Sequence, residues 1–389
     1  MKTSARVQGI ALSVTLALDA RAKAMAVGGR DVVNMAVGEP DFPAPPEVRR
    51  AAVAKVESGD VRYTAAAGTP ALRAALAAHL GATRTGTWTP AEVVVCHSAK
   101  HALSGACLAL FEAGDEVLVP LPAWVSYEEI LRIAGATPVC VPARADLGPD
   151  LDAITAALTP RTRGILLNSP CNPTGYIWTA DELAAVMDVA ERADLWVLTD
   201  EIYRRLVYDE RPFVSPLEVH ARARERCIVI DGASKAFAMT GYRIGFAAGP
   251  RDAIEAIARL HSQLTGSPNA VSQAAYLAAL ATEPPQVEEM RANYARRREL
   301  LIRGLMHLGL PTPGAHGAFY AFPDVAAHLG GATDSNAFCE RLLDEEGVVL
   351  VPGSAFGAPT HVRLSYALGE AQLREALVRL GRFLGMAAG

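Results

Sequence analysis

Between residues 90 and 250 short apolar runs alternate with longer helix-forming stretches, and this alternation constrains the fold more than any other property of the chain. The runs are Val93–Cys96, Glu116–Val119, Thr137–Val141, Gly164–Asn168, Trp196–Thr199, Cys227–Ile230 and Phe246–Ala248. Each is too short for a helix and rich in β-branched or apolar residues. Most lack the polar alternation of a half-solvated strand, so they read as strands covered on both faces. Ala99–Phe111 reads as a helix halted at Ala113-Gly114, and Thr179–Ala193 as one opening on Thr179-x-x-Glu182, where hydroxyl and carboxylate satisfy each other's backbone N–H groups. The expectation is an α/β fold with a mainly parallel seven-stranded sheet covered by helices. Beyond residue 290 the pattern changes to α+β. An Arg-rich helix (Arg291, Arg296, Arg297, Arg298, Arg303) precedes short strands at Ala318–Phe322, Val348–Val351 and Val362–Ser365 and a last helix at Glu370–Leu384. The expected division is a large domain, 38–290, and a small α+β domain built from both chain ends, 1–37 and 291–389.

Composition removes several function classes. With 37 Lys+Arg against 42 Asp+Glu, the net charge of −5 offers no concentrated basic face for nucleic acid. The six cysteines are scattered without a C-x-x-C pair, which predicts free buried thiols and neither a zinc site nor a disulfide framework. Leu260–Thr282 has no Asp, Glu, Lys or Arg and is long enough to span a bilayer, but its Ser, Asn, Gln and His residues make it too polar. At the N-terminus, Lys2 and Arg6 before the apolar run Gly9–Leu18 imitate a leader. Ser13 and Thr15 interrupt that run and Arg21 and Lys23 follow it, so it reads as an amphipathic helix of a cytoplasmic protein.

In open α/β sheets ligands bind beyond the carboxyl ends of the strands. There the sequence places Ser98-Ala99-Lys100 at a helix start, Pro122-Ala123-Trp124, the turn-dense Ser169–Gly175 loop with Asn172, Asp200-Glu201-Ile202-Tyr203, and Ser234-Lys235 followed by Arg243. A helix N-terminus holds phosphate through its free N–H groups. An amine, a carboxylate, an aromatic face and an arginine beside it suit a planar, phosphorylated, cationic heterocycle carrying an aldehyde, a description that pyridoxal phosphate meets.

The chain resembles the aspartate-aminotransferase-like family of fold-type I pyridoxal-phosphate enzymes from Ser13 to about Leu384. The carriers are Gly38-Glu39-Pro40-Asp41-Phe42, Arg62-Tyr63, Asn172-Pro173-Thr174-Gly175, Asp200-Glu201-Ile202-Tyr203, Ser234-Lys235-x7-Arg243 and Val362-Arg363-Leu364-Ser365. Each is weak alone; their joint order and spacing is specific. The resemblance implies that Lys235 carries pyridoxal 5'-phosphate covalently and serves as general base and then acid. It implies that Asp200 pairs with the ring nitrogen, that Asn172 and Tyr203 bond the ring's phenolic oxygen, and that Trp124 stacks on the ring. Arg243, Ser234 and the N–H groups of Ser98, Ala99 and Lys100 would hold the phosphate, although relatives often have Gly or Ala where Ser98 stands. Tyr63 would reach the phosphate of the neighbouring subunit, making a homodimer with shared active sites. Arg363 would bind the substrate α-carboxylate with two prongs, while Gly38 lets the chain pass close to the substrate.

Each residue also has an ordinary use: Asp200 as a helix cap, Asn172-Pro173 as a plain turn, Tyr63 as a core or interface aromatic, Arg363 as the partner of a local acid. The reaction implied is ping-pong transfer of an amino group between an L-amino acid and a 2-oxo acid. Lys100 stands where aspartate-using relatives carry a lysine for the distal carboxylate, and Ser13-x-Thr15 resembles their N-terminal substrate lid. Aspartate or glutamate is therefore the expected donor, with prephenate as a further acceptor. Other outcomes use the same residues: an aromatic or neutral amino acid specificity, or a β-lyase, oxidase or cyclase of specialised metabolism. A cofactor-binding regulator would need a DNA-binding extension, and no basic stretch precedes Ser13.

Overall fold

The computed structural model describes residues 2–10 and 14–386. Its strands, in chain order, are β1 (Val33–Asn34), β2 (Val93–Cys96), β3 (Glu116–Pro120), β4 (Thr137–Val141), β5 (Thr162–Asn168), β6 (Trp196–Asp200), β7 (Cys227–Gly232), β8 (Gly245–Ala248), β9 (Tyr320–Ala321), β10 (Val348–Val349), β11 (Val351–Pro352) and β12 (Val362–Ser365). Seven form one sheet in the order β2-β8-β7-β6-β5-β3-β4. β8 runs antiparallel to both neighbours and the other pairs are parallel, so the sheet is mixed but mainly parallel, as the alternation predicts.

Consecutive residues of the central strands enter different cores. Val93, Val95, Ile165, Leu167, Val197 and Val229 pack with Leu72, Leu76, Val186, Met187 and Ala275 on one face. Val94, Cys96, Leu166, Leu198, Ile228 and Ile230 pack with Leu103, Cys107, Ile130 and Ile257 on the other. Burial on both faces is the reason these runs show no polar alternation. Thr137–Val141 is the exception: it is one of the sheet's two edges, and Thr137 and Cys140 are exposed. The expectation that the cysteines are all buried fails there and at half-buried Cys171; the six are free thiols and the other four are buried.

The chain ends share a third core. β1 pairs in parallel with β10, and β12 lies between β11 and β9 in an antiparallel sheet. Val33 and Met35 pack there with Tyr294, Leu301, Phe319, Tyr320, Leu364 and Leu373. Ile202, Tyr203 and Leu206, just past β6, belong to the same core, so the chain-end elements close over the carboxyl end of the main sheet.

Local details depart from the sequence reading for identifiable reasons. The strand expected at Ala318–Phe322 shortens to β9, the two residues that find partners in Ser365 and Leu364, while Ala318 stands at φ +56°. The one expected at Val348–Val351 divides into β10 and β11, which pair with different partners. The charge-free stretch from Leu260 is broken between helices Arg251–Leu264 and Ala270–Thr282, with Asn269 capping the second. No helix among the described residues is long and apolar enough to cross a membrane. The N-terminal helix lies at Val14–Val27, later than Gly9–Leu18, with Leu18, Ala22 and Met25 on the face that packs near Val351 and Phe356. Ser13 lies outside the described residues, as does the side chain of Thr15.

Candidate active site

A cleft of about 580 Å³ opens at the carboxyl ends of β2, β5, β6 and β7 and is bordered by residues 36–39, Tyr320 and Arg363 from the chain-end elements. Parallel pairing sets Asn168, the last residue of β5, beside Asp200, the last of β6. Asp200 is buried; its Oδ2 accepts from the Tyr127 hydroxyl at 2.8 Å and its Oδ1 from the Ile202 N–H at 3.2 Å. Burial pushes the Asp200 carboxyl up to about 6, and the charges of Asp231 and Glu201 push in the same direction. Behind it, Glu201 is held by Arg84 and by the Ser215 hydroxyl at 2.6 Å, and Asp231 by Arg204 at 2.8 Å. Of the three carboxylates, Asp200 has no cationic side chain within ion-pair distance among the described residues, and it is the one that borders the cleft. A protonated ring nitrogen is the kind of group such a carboxylate suits.

Lys235 sits in a one-turn helix, Ala233–Ala236, directly after β7. Its amine donates to the Gly38 carbonyl. Desolvation pulls it down to about 8; Glu39 opposes this, while Arg363 and Arg243 add to it. An amine with that pKa is neutral often enough near neutral pH to act as a nucleophile and base. A Cβ at Gly38 would stand 2.9 Å from the Tyr320 hydroxyl, so a side chain there would displace that hydroxyl.

The anion cradle is built from another close approach. A Cβ on Gly245 would collide with Ala99 N and Ser98 C, so this glycine lets β8 lie against the start of the Ala99–Leu110 helix. Ser98, at φ +96°, turns the chain and caps the helix by accepting from His101 N–H at 3.4 Å. The first-turn N–H groups of Ala99 and Lys100, for which a helix has no internal acceptor, border the cleft. Ser234 and Arg243 line the same region, and Arg243 is fixed in a left-handed conformation (φ +51°) with Nη1 donating to Thr240 O at 2.8 Å. This donor set fits a phosphate group.

The side of the cleft bordered by the chain-end elements is more tightly knit. Arg363 is buried, with Nη1 donating to Asn172 Oδ1 at 2.9 Å and Nη2 to Ala36 O at 2.7 Å. Its guanidinium lies 4.5 Å from the Tyr320 ring centre and 5.1 Å from that of Phe356. No carboxylate pairs with it among the described residues, which removes the local-acid alternative, and its buried Nε has no partner. Tyr203 and Tyr320 share a hydroxyl–hydroxyl hydrogen bond of 2.8 Å. The Trp124 ring borders the cleft, edge-to-face with Tyr127, and the Lys100 amine lies 4.6 Å above it while donating to Ser126 Oγ at 3.2 Å. Desolvation, then the charge of Arg243, lowers the Lys100 pKa.

The cleft thus brings together Gly38, Ser98, Ala99, Lys100, Trp124, Asn172, Asp200, Tyr203, Ser234, Lys235, Arg243 and Arg363, the residues picked from strand ends and motifs. Tyr63 does not join them; it is 96% exposed on the surface of the single chain. Tyr127, Tyr320, Asp19, Lys23 and Glu39 also line the cleft and were not anticipated. Tyr127 follows Trp124 by one helical turn, a spacing that could have marked it; Tyr320 lies in an apolar run that reads as core. Cys96, His101 and His261 bring possible metal-ligating atoms within 4.8 Å of one another. The two imidazoles, however, stack at 4.2 Å and 16°, so their lone pairs run side by side rather than converging.

The family model for aminotransferases of class I and II matches residues 30–380. The aspartate/prephenate aminotransferase of Thermus thermophilus is 42% identical over 99% of both chains. The aspartate aminotransferase of Geobacillus stearothermophilus is 39% identical over 99% of both. Among solved structures, the aspartate aminotransferase from Thermus thermophilus with maleate superposes with a TM-score of 0.94 at 41% identity, covering 98% of this chain and 100% of the other. The Rhizobium meliloti aspartate aminotransferase gives 0.95 at 37%, covering 99% of each.

Proposed function

The chain belongs to the class I and II aminotransferase family, and from that premise we propose that it uses pyridoxal 5'-phosphate to move the amino group of aspartate or glutamate to a 2-oxo acid. When bound, the cofactor supplies a cationic ring that takes up the electron pair left at the substrate's Cα. The observation that carries this reading is the pair lining the cleft: an amine lowered to about 8 at Lys235 and, at Asp200, a buried carboxylate with no ion-pair partner among the described residues. Asp200 would keep the ring nitrogen protonated. Lys235 would hold the cofactor between turnovers, remove the Cα proton and return it to the carbon that receives the amino group. Arg363 would take the α-carboxylate with its two-pronged guanidinium, whose orientation is already fixed by Asn172, Ala36 and two aromatic rings. With Trp124 against the ring face, the Cα–H bond would stand perpendicular to the ring, which selects proton loss over decarboxylation.

Lys100 supports a dicarboxylic substrate, because its amine projects over Trp124 at the cleft's border. The exposure of Tyr63, with Val53, Val56 and Val61 exposed nearby, suits a homodimer in which Tyr63 serves the partner's phosphate site. We read the enzyme as cytoplasmic, with a large body of residues 38–290 and a small one from the two ends. The test follows the bound chromophore as it cycles between aldehyde and amine forms with each donor. Aspartate or glutamate should convert it, and a 2-oxo acid should restore it. Lys100→Ala should weaken aspartate about fivefold, the size of a partly exposed ion pair, and leave cofactor binding intact. Unchanged aspartate kinetics would end the role of Lys100, and ammonia or pyruvate release without a 2-oxo acid would end the transfer reading.

A further inference from the structure

Tyr320 touches both halves of the cleft. Its hydroxyl is 2.8 Å from that of Tyr203, its ring centre lies 4.5 Å from the Arg363 guanidinium, and the same hydroxyl lies against Gly38, whose carbonyl receives the Lys235 amine. Tyr320 and Tyr203 are buried, and burial raises both phenols, so each keeps its proton. Two neutral hydroxyls in contact have one proton each to place along a chain. If Tyr203 gives its proton to an acceptor in the cleft, Tyr320 must be the donor between the pair. A hydroxyl that accepts a hydrogen bond becomes a stronger donor in turn.

We propose that Tyr320 is a positioning residue that acts through Tyr203: it donates to the Tyr203 oxygen and thereby aims and strengthens the bond from Tyr203 to the cofactor's phenolic oxygen. Its ring independently supports Arg363. This rests on the cofactor reading above. Stronger donation favours the deprotonated ring oxygen, so the proton that this oxygen shares with the Lys235 nitrogen is released at lower pH. The hydroxyl and the ring therefore have separable consequences: the hydroxyl sets a titration on the cofactor side, and the ring sets carboxylate affinity on the substrate side.

The experiment is an absorbance titration of the cofactor-loaded enzyme with maleate binding measured in parallel. Tyr320→Phe keeps the ring and removes the hydroxyl. It should raise the apparent pKa of the lysine-bound chromophore by about 0.5–1, the scale of one hydrogen bond, while maleate affinity changes less than twofold. Tyr320→Leu should raise the pKa likewise and weaken maleate about tenfold. In a Tyr203→Phe background, Tyr320→Phe should shift the titration no further. An unchanged pKa in Tyr320→Phe, or equal and additive shifts in the two backgrounds, would overturn the proposal. Should Tyr320→Phe fail to fold, the Tyr320→Leu titration alone decides by the same criterion. A wild-type protein that acquires no chromophore overturns the cofactor reading itself, so the two failures are distinguishable.

Discussion

The two sides of the cleft are held in place differently. On the cofactor side the key groups sit at or just past strand ends in the fixed register of the seven-stranded sheet: Asn168 and Asp200, the last residues of β5 and β6, lie side by side, and Gly232 at the end of β7 faces Gly245 at the start of β8. On the substrate side Arg363 sits in a four-residue strand between two strands of two residues each. Side-chain contacts to Asn172, Ala36, Tyr320 and Phe356 fix its direction instead. A site on a strand end inherits the precision of the sheet, whereas one held by side chains is only as precise as the residues around it. The cofactor half should therefore tolerate changes to the substrate half far better than the reverse, since Asn172 belongs to the loop after β5 and also orients Arg363.

Asp200→Asn attacks the sheet-borne side and carries the largest expected effect among these variants. Losing a preorganised charge at the ring should lower kcat by about 10²–10³ and alter the chromophore, with the protein still folded. A kcat within threefold of wild type would remove Asp200 from the chemistry. Arg363→Lys attacks the other side. Replacing the two-pronged guanidinium should raise KM for carboxylate substrates by about 10–100-fold and leave the chromophore's spectrum unchanged. A spectrum altered as strongly as in Asp200→Asn would erase the distinction between the halves. A smaller effect concerns pH. On the proposed reading only the neutral Lys235 amine would capture the cofactor, and desolvation lowers its pKa to about 8. Stopped-flow uptake by cofactor-free protein should therefore slow about tenfold per pH unit below 8 and level off above it. A flat profile between pH 6 and 8 would contradict the assigned protonation.

The same contrast explains what the sequence revealed. Strand ends on a parallel sheet can be located from apolar runs alone, so Asp200, Asn172 and Lys235 could be placed on one edge before any coordinates. The shortened strand at Tyr320–Ala321 and the split at Leu350 depend on which partner each residue finds across the chain-end sheet, and no local pattern carries that information. Tyr320 was hidden because an aromatic in an apolar run reads as core, whereas Tyr127, flanked by Ser126 and Glu128, was marked only by its spacing from Trp124. Both are indeed buried, and each still presents its hydroxyl to a group in the cleft. The long reach from Ala36 O to Arg363 likewise joins residues far apart in the chain.

A covalent bond between the cofactor and Lys235 is easy to look for, because the chain has only five lysines: Lys2, Lys23, Lys55, Lys100 and Lys235. Purified protein incubated with pyridoxal phosphate, reduced with borohydride and digested should carry the pyridoxyl mass on the peptide containing Lys235 in near-stoichiometric amount, and Lys235→Ala should leave the remaining four essentially unlabelled. Labelling spread over the exposed lysines, or concentrated on Lys100, would contradict the account.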